Sequence, residues 1–118
     1  LVAYLDFIAP LVHSQRQVDS IYFDFSNAFD LVSHEMLLRK LCDFGLSAGY
    51  VSWFRSYLTS RTFSVRYCGA LSTSYAVLSG VPQGSVLGPL LFYIFINDLL
   101  GVVKYSNCLL FADDIKIF

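Results

Sequence analysis

At 118 residues, the chain has room for one domain with a real core, but not for two. Hydrophobic residues make up 56% of it and charged residues only 14%, a composition that excludes a disordered tail. Its net charge is −1, which by itself argues against nucleic-acid binding, because domains with that function are usually basic.

The first predicted element is a short strand over residues 21–25. Because this segment is nearly all apolar, we expect it in a central position of a sheet with both faces covered. A helix follows, which Ser33 can cap and which runs to about Asp43, with Gly45 as its stop. Its apolar positions at helical spacing are Leu37, Leu38, Leu41 and Phe44.

A second helix and a hairpin are predicted for the middle of the chain. Ser47 can cap the helix, and residues 63–67 then alternate between apolar and polar as a strand does. Residues 75–78 return as its partner after a turn at Gly69. The helix carries an apolar face made of Val51, Phe54 and Leu58.

A third helix and a closing hairpin complete the pattern. Residues 80–84 must form a loop, after which Ser85 can cap a helix that ends near Leu100. Residues 108–111 and 115–118 then form a hairpin. The order of strand, helices, hairpin, helix and hairpin predicts an α+β fold, with an antiparallel sheet backed by helices.

The charge-free stretch between Tyr67 and Asn97 does not predict a membrane span. A spanning helix needs about 20 apolar residues in succession. Pro82, Gly84 and Pro89 interrupt every such window, so a buried helix is the better interpretation and no membrane partner is expected.

The cysteines and histidines do not predict a zinc site or a disulfide. Cys42, Cys68 and Cys108 form an odd set without Cys-x-x-Cys spacing, which is typical of reduced, mostly buried cysteines in an intracellular protein. His13 and His34 have no cysteine or acidic partner at metal spacing, and His34 is better explained as a local polar contact.

Two acidic segments each follow an apolar strand. Asp24 follows residues 21–23, and Asp113 with Asp114 closely follows residues 109–110. Two such strands side by side would bring Asp24 and Asp113 together, although 113 − 24 = 89 positions separate them. Magnesium suits carboxylates crowded in this way, because it takes oxygen ligands and is usually held by one or two carboxylates plus substrate phosphates. The pattern therefore predicts half of a two-metal phosphoryl-transfer site.

Three motifs together resemble the catalytic palm of a reverse transcriptase. They are DFSNAFD at residues 24–30, SGVPQGSVLGP at residues 79–89 and FADD at residues 111–114. The end of the middle motif and the FADD form resemble the non-LTR, or LINE-type, retrotransposon branch of that family. The resemblance covers roughly residues 18–118, and three motifs in order are far more specific than one Asp–Asp pair.

This resemblance implies roles for individual residues. Asp24 and Asp113 would be the two metal ligands, assisted by Asp114. Phe29 lies where the family has an aromatic steric gate, which would collide with a 2′-hydroxyl and so favour deoxyribonucleotides. The implied nucleotide-binding residues are Phe25, Phe29, Gln83 and Gly84.

The residues alone also allow purely structural roles for these positions. Asp24 and Asp30 could be helix or turn caps, Phe29 a core residue, and Gln83 with Gly84 a tight turn that starts the helix. For Asp30 the cap is the better explanation, since it lies just ahead of the helix that Ser33 starts.

The implied protein is an RNA-directed DNA polymerase for retrotransposon copying, with two Mg²⁺ ions for which Mn²⁺ could substitute. Its implied partners are an RNA template, a DNA primer, dNTPs and the rest of a polyprotein, with fingers, thumb and possible endonuclease domain. Residues 1–118 would be a partial domain, mainly palm, with residues 1–19 from the fingers side, and inactive in isolation. The family's priming on chromosomal DNA implies the nucleus, and the RNA–protein particle implies the cytoplasm.

The sequence leaves two alternative identities open. A group II intron or telomerase-like reverse transcriptase is one, against which the run SVLGPLLF at residues 85–92 argues. The other is a decayed or domesticated palm that acts as a structural or interaction module. Substitution of Asp24 or Asp113 would have favoured that alternative, and both are intact.

Overall fold

The computed structural model describes residues 2–118, and the chain divides into two compact units. The first unit comprises the chain up to Ser26 together with Asp98–Phe118, and the second comprises Asn27–Asn97. Both contain helices and antiparallel strands, which confirms the predicted α+β class. In the part of the chain that is described, no helix is long and apolar enough to cross a membrane.

The elements follow one another in this order: α1 (Val2–His13), β1 (Ile21–Asp24), α2 (His34–Asp43), α3 (Ala48–Leu58), β2 (Thr62–Phe63), β3 (Arg66–Tyr67), β4 (Ala70–Leu71), β5 (Tyr75–Ala76), α4 (Leu87–Ile96), a 3₁₀ helix (Asn97–Gly101), β6 (Cys108–Phe111) and β7 (Asp114–Ile117).

The first unit contains a three-stranded antiparallel sheet in which β7 lies between β1 and β6. Strand β1 is therefore at an edge, and all four of its residues are exposed. The prediction of a central strand with both faces covered was wrong. A run of apolar residues indicates that the side chains favour burial, but it does not indicate whether the strand lies at the centre or at the edge of a sheet.

Helix α1 belongs to the first unit and was not predicted. Its half-buried residues Tyr4, Ile8 and Leu11 do follow helical spacing. Pro10 obscures this pattern, because a proline inside a helix removes a backbone donor and usually ends the helix. The Tyr4 ring meets the Phe118 ring edge-on, with 4.9 Å between centroids, so α1 is held to the residue that follows β7.

The second unit has a helical core in which α2 packs against both α3 and α4. Helix α2 begins and ends where the sequence predicts: Ser33 Oγ accepts a hydrogen bond from the Met36 amide at 3.4 Å, and Gly45 follows with a φ of 87°. Each buried leucine stabilises the unit by about 1.5–3 kcal/mol relative to an exposed one. The buried side chains of the three helices include Leu37, Leu38, Leu41, Leu58, Leu91, Phe92 and Ile96.

Two of the three predicted helix caps, Ser33 and Ser47, differ from each other, and this gives a matched test. Ser47 precedes α3, but within the described residues its side chain makes no cap hydrogen bond. We therefore expect Ser33→Ala to lower the free energy of unfolding by about 1 kcal/mol, and Ser47→Ala to lower it by much less. Equilibrium urea denaturation of both variants measures the difference. Equal losses would contradict the cap that we assign to Ser33.

The predicted middle hairpin splits into two short ladders, β2 with β5 and β3 with β4. Phe63 pairs with Tyr75 and Arg66 with Leu71, so residues 64–65 face residues 72–74. The two sides therefore differ by one residue in length, and the pairing is interrupted between the two ladders.

Helix α4 is shorter than predicted. It ends at Ile96 rather than near Leu100, and the 3₁₀ helix continues the chain to Gly101. Val86, not the predicted Ser85, occupies the N-cap position of α4. Ser85 precedes it, and its hydroxyl accepts a hydrogen bond from the Gly88 amide at 2.9 Å.

All three cysteines lie in the described part of the chain and are free, as predicted. The expectation that they are mostly buried was wrong, since Cys42 and Cys68 are exposed and Cys108 is half-buried. Cys68 lies in the turn between β3 and β4 with a φ of 47°, and a tight turn of this kind projects from the surface.

Candidate active site

Strands β1 and β7 place two of the predicted carboxylates opposite each other. Their antiparallel register pairs Asp24 with Asp114, and β6 pairs Phe111 with the same residue. Directly opposed residues on neighbouring strands project from the same face of a sheet. The prediction that the strand before Asp113 lies beside β1 was wrong, because β7 lies between β1 and β6 and makes Asp114 rather than Asp113 the direct partner of Asp24.

Asp113 lies next to this pair, in the two-residue turn that joins β6 to β7. The turn begins with Ala112, which has a φ of 53°. Asp113 is half-buried, whereas Asp24 and Asp114 are exposed. The first unit thus carries all three predicted metal-site carboxylates at one end of its sheet.

The chemistry of this donor set fits Mg²⁺ bound together with a substrate. Within residues 2–118, the carboxylates of Asp24 and Asp114 have no hydrogen-bond or ion-pair partner. No three His, Cys, Asp or Glu side chains among the described residues come together as a self-sufficient metal site. Mg²⁺ does not need such a site, because it is usually held by one or two carboxylates plus substrate phosphates.

The same end of the first unit carries an open pocket of about 450 Å³, a volume typical of small-ligand sites. Asp24 and Asp114 line it together with Lys116, whose Nζ lies 3.5 Å from the Tyr4 ring centroid and 4.3 Å from that of Tyr22. A hydrogen bond with Lys116 is the main cause that lowers the pKa of Tyr22 below its ordinary value. The pocket therefore combines two carboxylates, one cation and aromatic rings.

In the second unit, two loops are joined by backbone hydrogen bonds. The Gly80 amide donates to the Val32 carbonyl oxygen at 2.8 Å, and the Val81 amide donates to the Phe29 carbonyl oxygen at 2.8 Å. Gly80 has a φ of 91°, and a Cβ placed on it would lie 2.9 Å from the Asp30 Cα. The loops approach so closely that only glycine fits at position 80.

These two hydrogen-bonded loops lie beside a second, smaller pocket of about 230 Å³. It is lined by three of the predicted nucleotide-binding residues: Phe29, Gln83 and Gly84. The Phe29 ring stacks on the Phe92 ring of α4, with 4.3 Å between centroids and 28° between planes. Phe25, the fourth predicted residue, is an exposed residue of the first unit.

Asp30 has a different role from the predicted helix cap. Its Oδ1 accepts a hydrogen bond from Gln83 Nε2 at 2.7 Å, and its backbone carbonyl accepts one from Ser79 Oγ at 2.7 Å. Helix α2 is capped by Ser33 instead. Asp30 therefore links the first acidic motif to the glycine-rich motif.

Sequence reasoning missed Gly80 and assigned His34 only a local role. His34 is buried, and its Nε2 lies 2.8 Å from the Gly80 carbonyl oxygen, 46 positions along the chain. The sequence features that could have indicated this contact are Gly80, which precedes the uncharged loop at Pro82, and His34, which starts α2. Neither signal names the partner, because such contacts depend on how the chain folds.

Comparisons with known proteins show what the chain is similar to. A model of the family described as reverse transcriptase (RNA-dependent DNA polymerase) matches residues 10–118. The chain is 42% identical over 108 residues to a probable RNA-directed DNA polymerase from transposon X-element of Drosophila melanogaster, covering 88% of this chain and 12% of that protein. It is 36% identical over 95 residues to an RNA-directed DNA polymerase from mobile element jockey of Drosophila funebris, covering 80% of this chain and 10% of that protein.

A third relative is a retrovirus-related Pol polyprotein from the type-1 retrotransposable element R2 of Popillia japonica. The two are 31% identical over 109 residues, covering 82% of this chain and 18% of that protein. The chain thus spans less than a fifth of the length of each of these curated relatives.

Proposed function

Because the chain belongs to the reverse transcriptase (RNA-dependent DNA polymerase) family, we propose that it forms the palm of an RNA-directed DNA polymerase and carries part of its catalytic site. The observation that carries this proposal is the strand register that sets Asp24 opposite Asp114. The relatives are retrotransposon proteins of the non-LTR branch, so the recognition made from the three motifs is confirmed.

In this proposal Asp24, Asp113 and Asp114 hold two Mg²⁺ ions, for which Mn²⁺ can substitute. When bound, such ions stabilise the attacking and leaving oxygens of an in-line phosphoryl transfer. The chain's own contribution is positioning. Strand β7 is hydrogen-bonded to β1 on one side and β6 on the other, so the backbone fixes Asp114 relative to Asp24. Their exposure leaves both carboxylates accessible to primer and nucleotide.

We assign nucleotide selection to Phe25, Phe29, Gln83 and Gly84. The stacking of Phe29 on Phe92 supports the steric-gate role, since a side chain that excludes a 2′-hydroxyl by steric clash must not move away from the sugar. Gly84 has a φ of 76° and, among the described atoms, none beyond its chain neighbours lies within 4 Å of a Cβ placed there. A ligand can therefore approach its backbone closely.

Replacing the gate should relax sugar selection. We expect Phe29→Val to raise the incorporation of a ribonucleotide relative to its deoxyribonucleotide by about 10- to 100-fold, the range over which a pocket discriminates one hydroxyl. The measurement is the ratio of kcat/KM for CTP and dCTP in the full-length natural protein that contains this chain. Phe63→Val, at an exposed phenylalanine of β2, is the matched control. An unchanged ratio in Phe29→Val would remove the gate from the proposal.

The proposed partners are an RNA template, a DNA primer, dNTPs and the remainder of the polyprotein. The proposed locations are the nucleus, for synthesis primed on chromosomal DNA, and the cytoplasm, for the RNA–protein particle. RNA-templated primer extension by the full-length protein tests the proposed activity. A well-folded protein that extends no primer would contradict it.

A further inference from the structure

The Asp30 carboxylate belongs neither to the proposed metal site nor to the gate, yet it makes a short side-chain contact. Its Oδ1 accepts from Gln83 Nε2 at 2.7 Å, across 83 − 30 = 53 positions of sequence. Gln83 in turn lines the pocket that also contains Phe29. We propose that Asp30 is a positioning residue, which holds the Gln83 carboxamide in one orientation for the incoming nucleotide. This inference rests on the proposed function.

The chemistry of the two side chains fixes that orientation. An ionised carboxylate only accepts hydrogen bonds, whereas a carboxamide has a donating nitrogen and an accepting oxygen. The Gln83 nitrogen must therefore face Asp30, which leaves Gln83 Oε1 to accept from a ligand. Without Asp30, a glutamine side chain at an exposed position is free to rotate and to turn its amide over.

The loop around Asp30 does not depend on its carboxylate. Ser79 Oγ donates to the Asp30 backbone carbonyl, and the Gly80 and Val81 amides donate to the backbone carbonyls of Val32 and Phe29. All these bonds survive truncation of the Asp30 side chain. Loss of the carboxylate should therefore release Gln83 and leave the fold of the loop in place.

The test is a double-mutant cycle on steady-state primer extension by the full-length protein, with dNTP concentration varied. We expect Asp30→Ala to raise the KM for dNTP by about tenfold, and Asp30→Asn, which keeps an accepting oxygen, to raise it less. In a Gln83→Ala background, Asp30→Ala should change KM by less than about twofold, because its partner is already gone.

The chain contains a matched control for the contact. Gln17 Nε2 donates to Asp19 Oδ1 at 2.8 Å, in the first unit, also between exposed side chains. Asp19→Ala removes the same kind of hydrogen bond and should leave KM unchanged. Equal effects of Asp30→Ala with and without Gln83, or an equal rise of KM in Asp19→Ala, would overturn the inference.

A second readout separates this inference from the proposed function. The side-chain amide NMR signal of Gln83, assigned by its loss in Gln83→Ala, should shift in Asp30→Ala and stay in place in Asp19→Ala. A wild-type protein that extends no primer would overturn the proposed function. An amide signal unmoved by Asp30→Ala would overturn the positioning role whatever the activity.

Discussion

Replacing Asp24 with asparagine is expected to lower the rate of nucleotide incorporation by about a thousandfold or more. Metal-ion stabilisation of a phosphoryl-transfer transition state is worth several kcal/mol, and each 1.4 kcal/mol corresponds to a factor of ten. Asparagine keeps the shape of the side chain but removes its charge. The Asp24 carboxylate is exposed and has no hydrogen-bond or ion-pair partner among residues 2–118, so the substitution should not unfold the protein.

Single-turnover incorporation of one dNTP by the full-length protein measures this loss. Asp43→Asn is the control, since Asp43 is an exposed aspartate at the end of α2 and belongs to neither acidic motif. We expect the control to retain the wild-type rate. An Asp24→Asn variant within tenfold of the wild-type rate would remove Asp24 from the catalytic site.

Gly80→Ala is expected to destabilise the second unit by about 2–5 kcal/mol. Placing an L-residue at a φ of 91° costs about 1–2 kcal/mol, and forcing extra atoms into a packed site costs about 1–3 kcal/mol more. A Cβ at this position would lie 2.9 Å from both the Cα and the carbonyl oxygen of Asp30. These are backbone atoms, so they cannot rotate away as a side chain could.

Gly84→Ala separates the two contributions. Gly84 also has a positive φ, 76°, but no described atom beyond its chain neighbours is within 4 Å of a Cβ placed there. Its replacement should cost only about 1–2 kcal/mol, the conformational part. Urea denaturation of both variants gives the difference. If the two variants lost the same free energy of unfolding, the close approach of Gly80 to Asp30 would not be present in solution.

Those parts of the fold that depend on neighbouring residues could be predicted from the sequence. Ser33 and Gly45 mark the ends of α2 because caps and left-handed glycines act within one helical turn. The closing hairpin followed from two short apolar runs on either side of an Asp–Asp pair, but the sequence did not indicate that β7 rather than β6 pairs with β1. By contrast, α1 was not predicted, because Pro10 interrupts its helical pattern. Nothing in the apolar run of β1 indicated that this strand lies at an edge of the sheet.

The candidate site shows the same division. Resemblance to a family supplied the individual residues, and local pattern placed Asp24 and Asp114 at strand ends. Neither the resemblance nor the local pattern predicted the hydrogen bond between Asp30 and Gln83 or the close approach of Gly80 to Asp30. Both contacts join positions about 50 residues apart in the sequence. Such contacts arise only when α2 and α4 pack and bring their preceding loops together.

The most direct test of the central claim is DNA synthesis on an RNA template. The full-length natural protein would be given a primed RNA template, dNTPs and Mg²⁺, with parallel reactions that contain excess EDTA or a DNA template. We predict a DNA product complementary to the RNA, which EDTA abolishes. A folded protein that binds the primed template but makes no such product, or that makes it equally well in EDTA, would contradict the account.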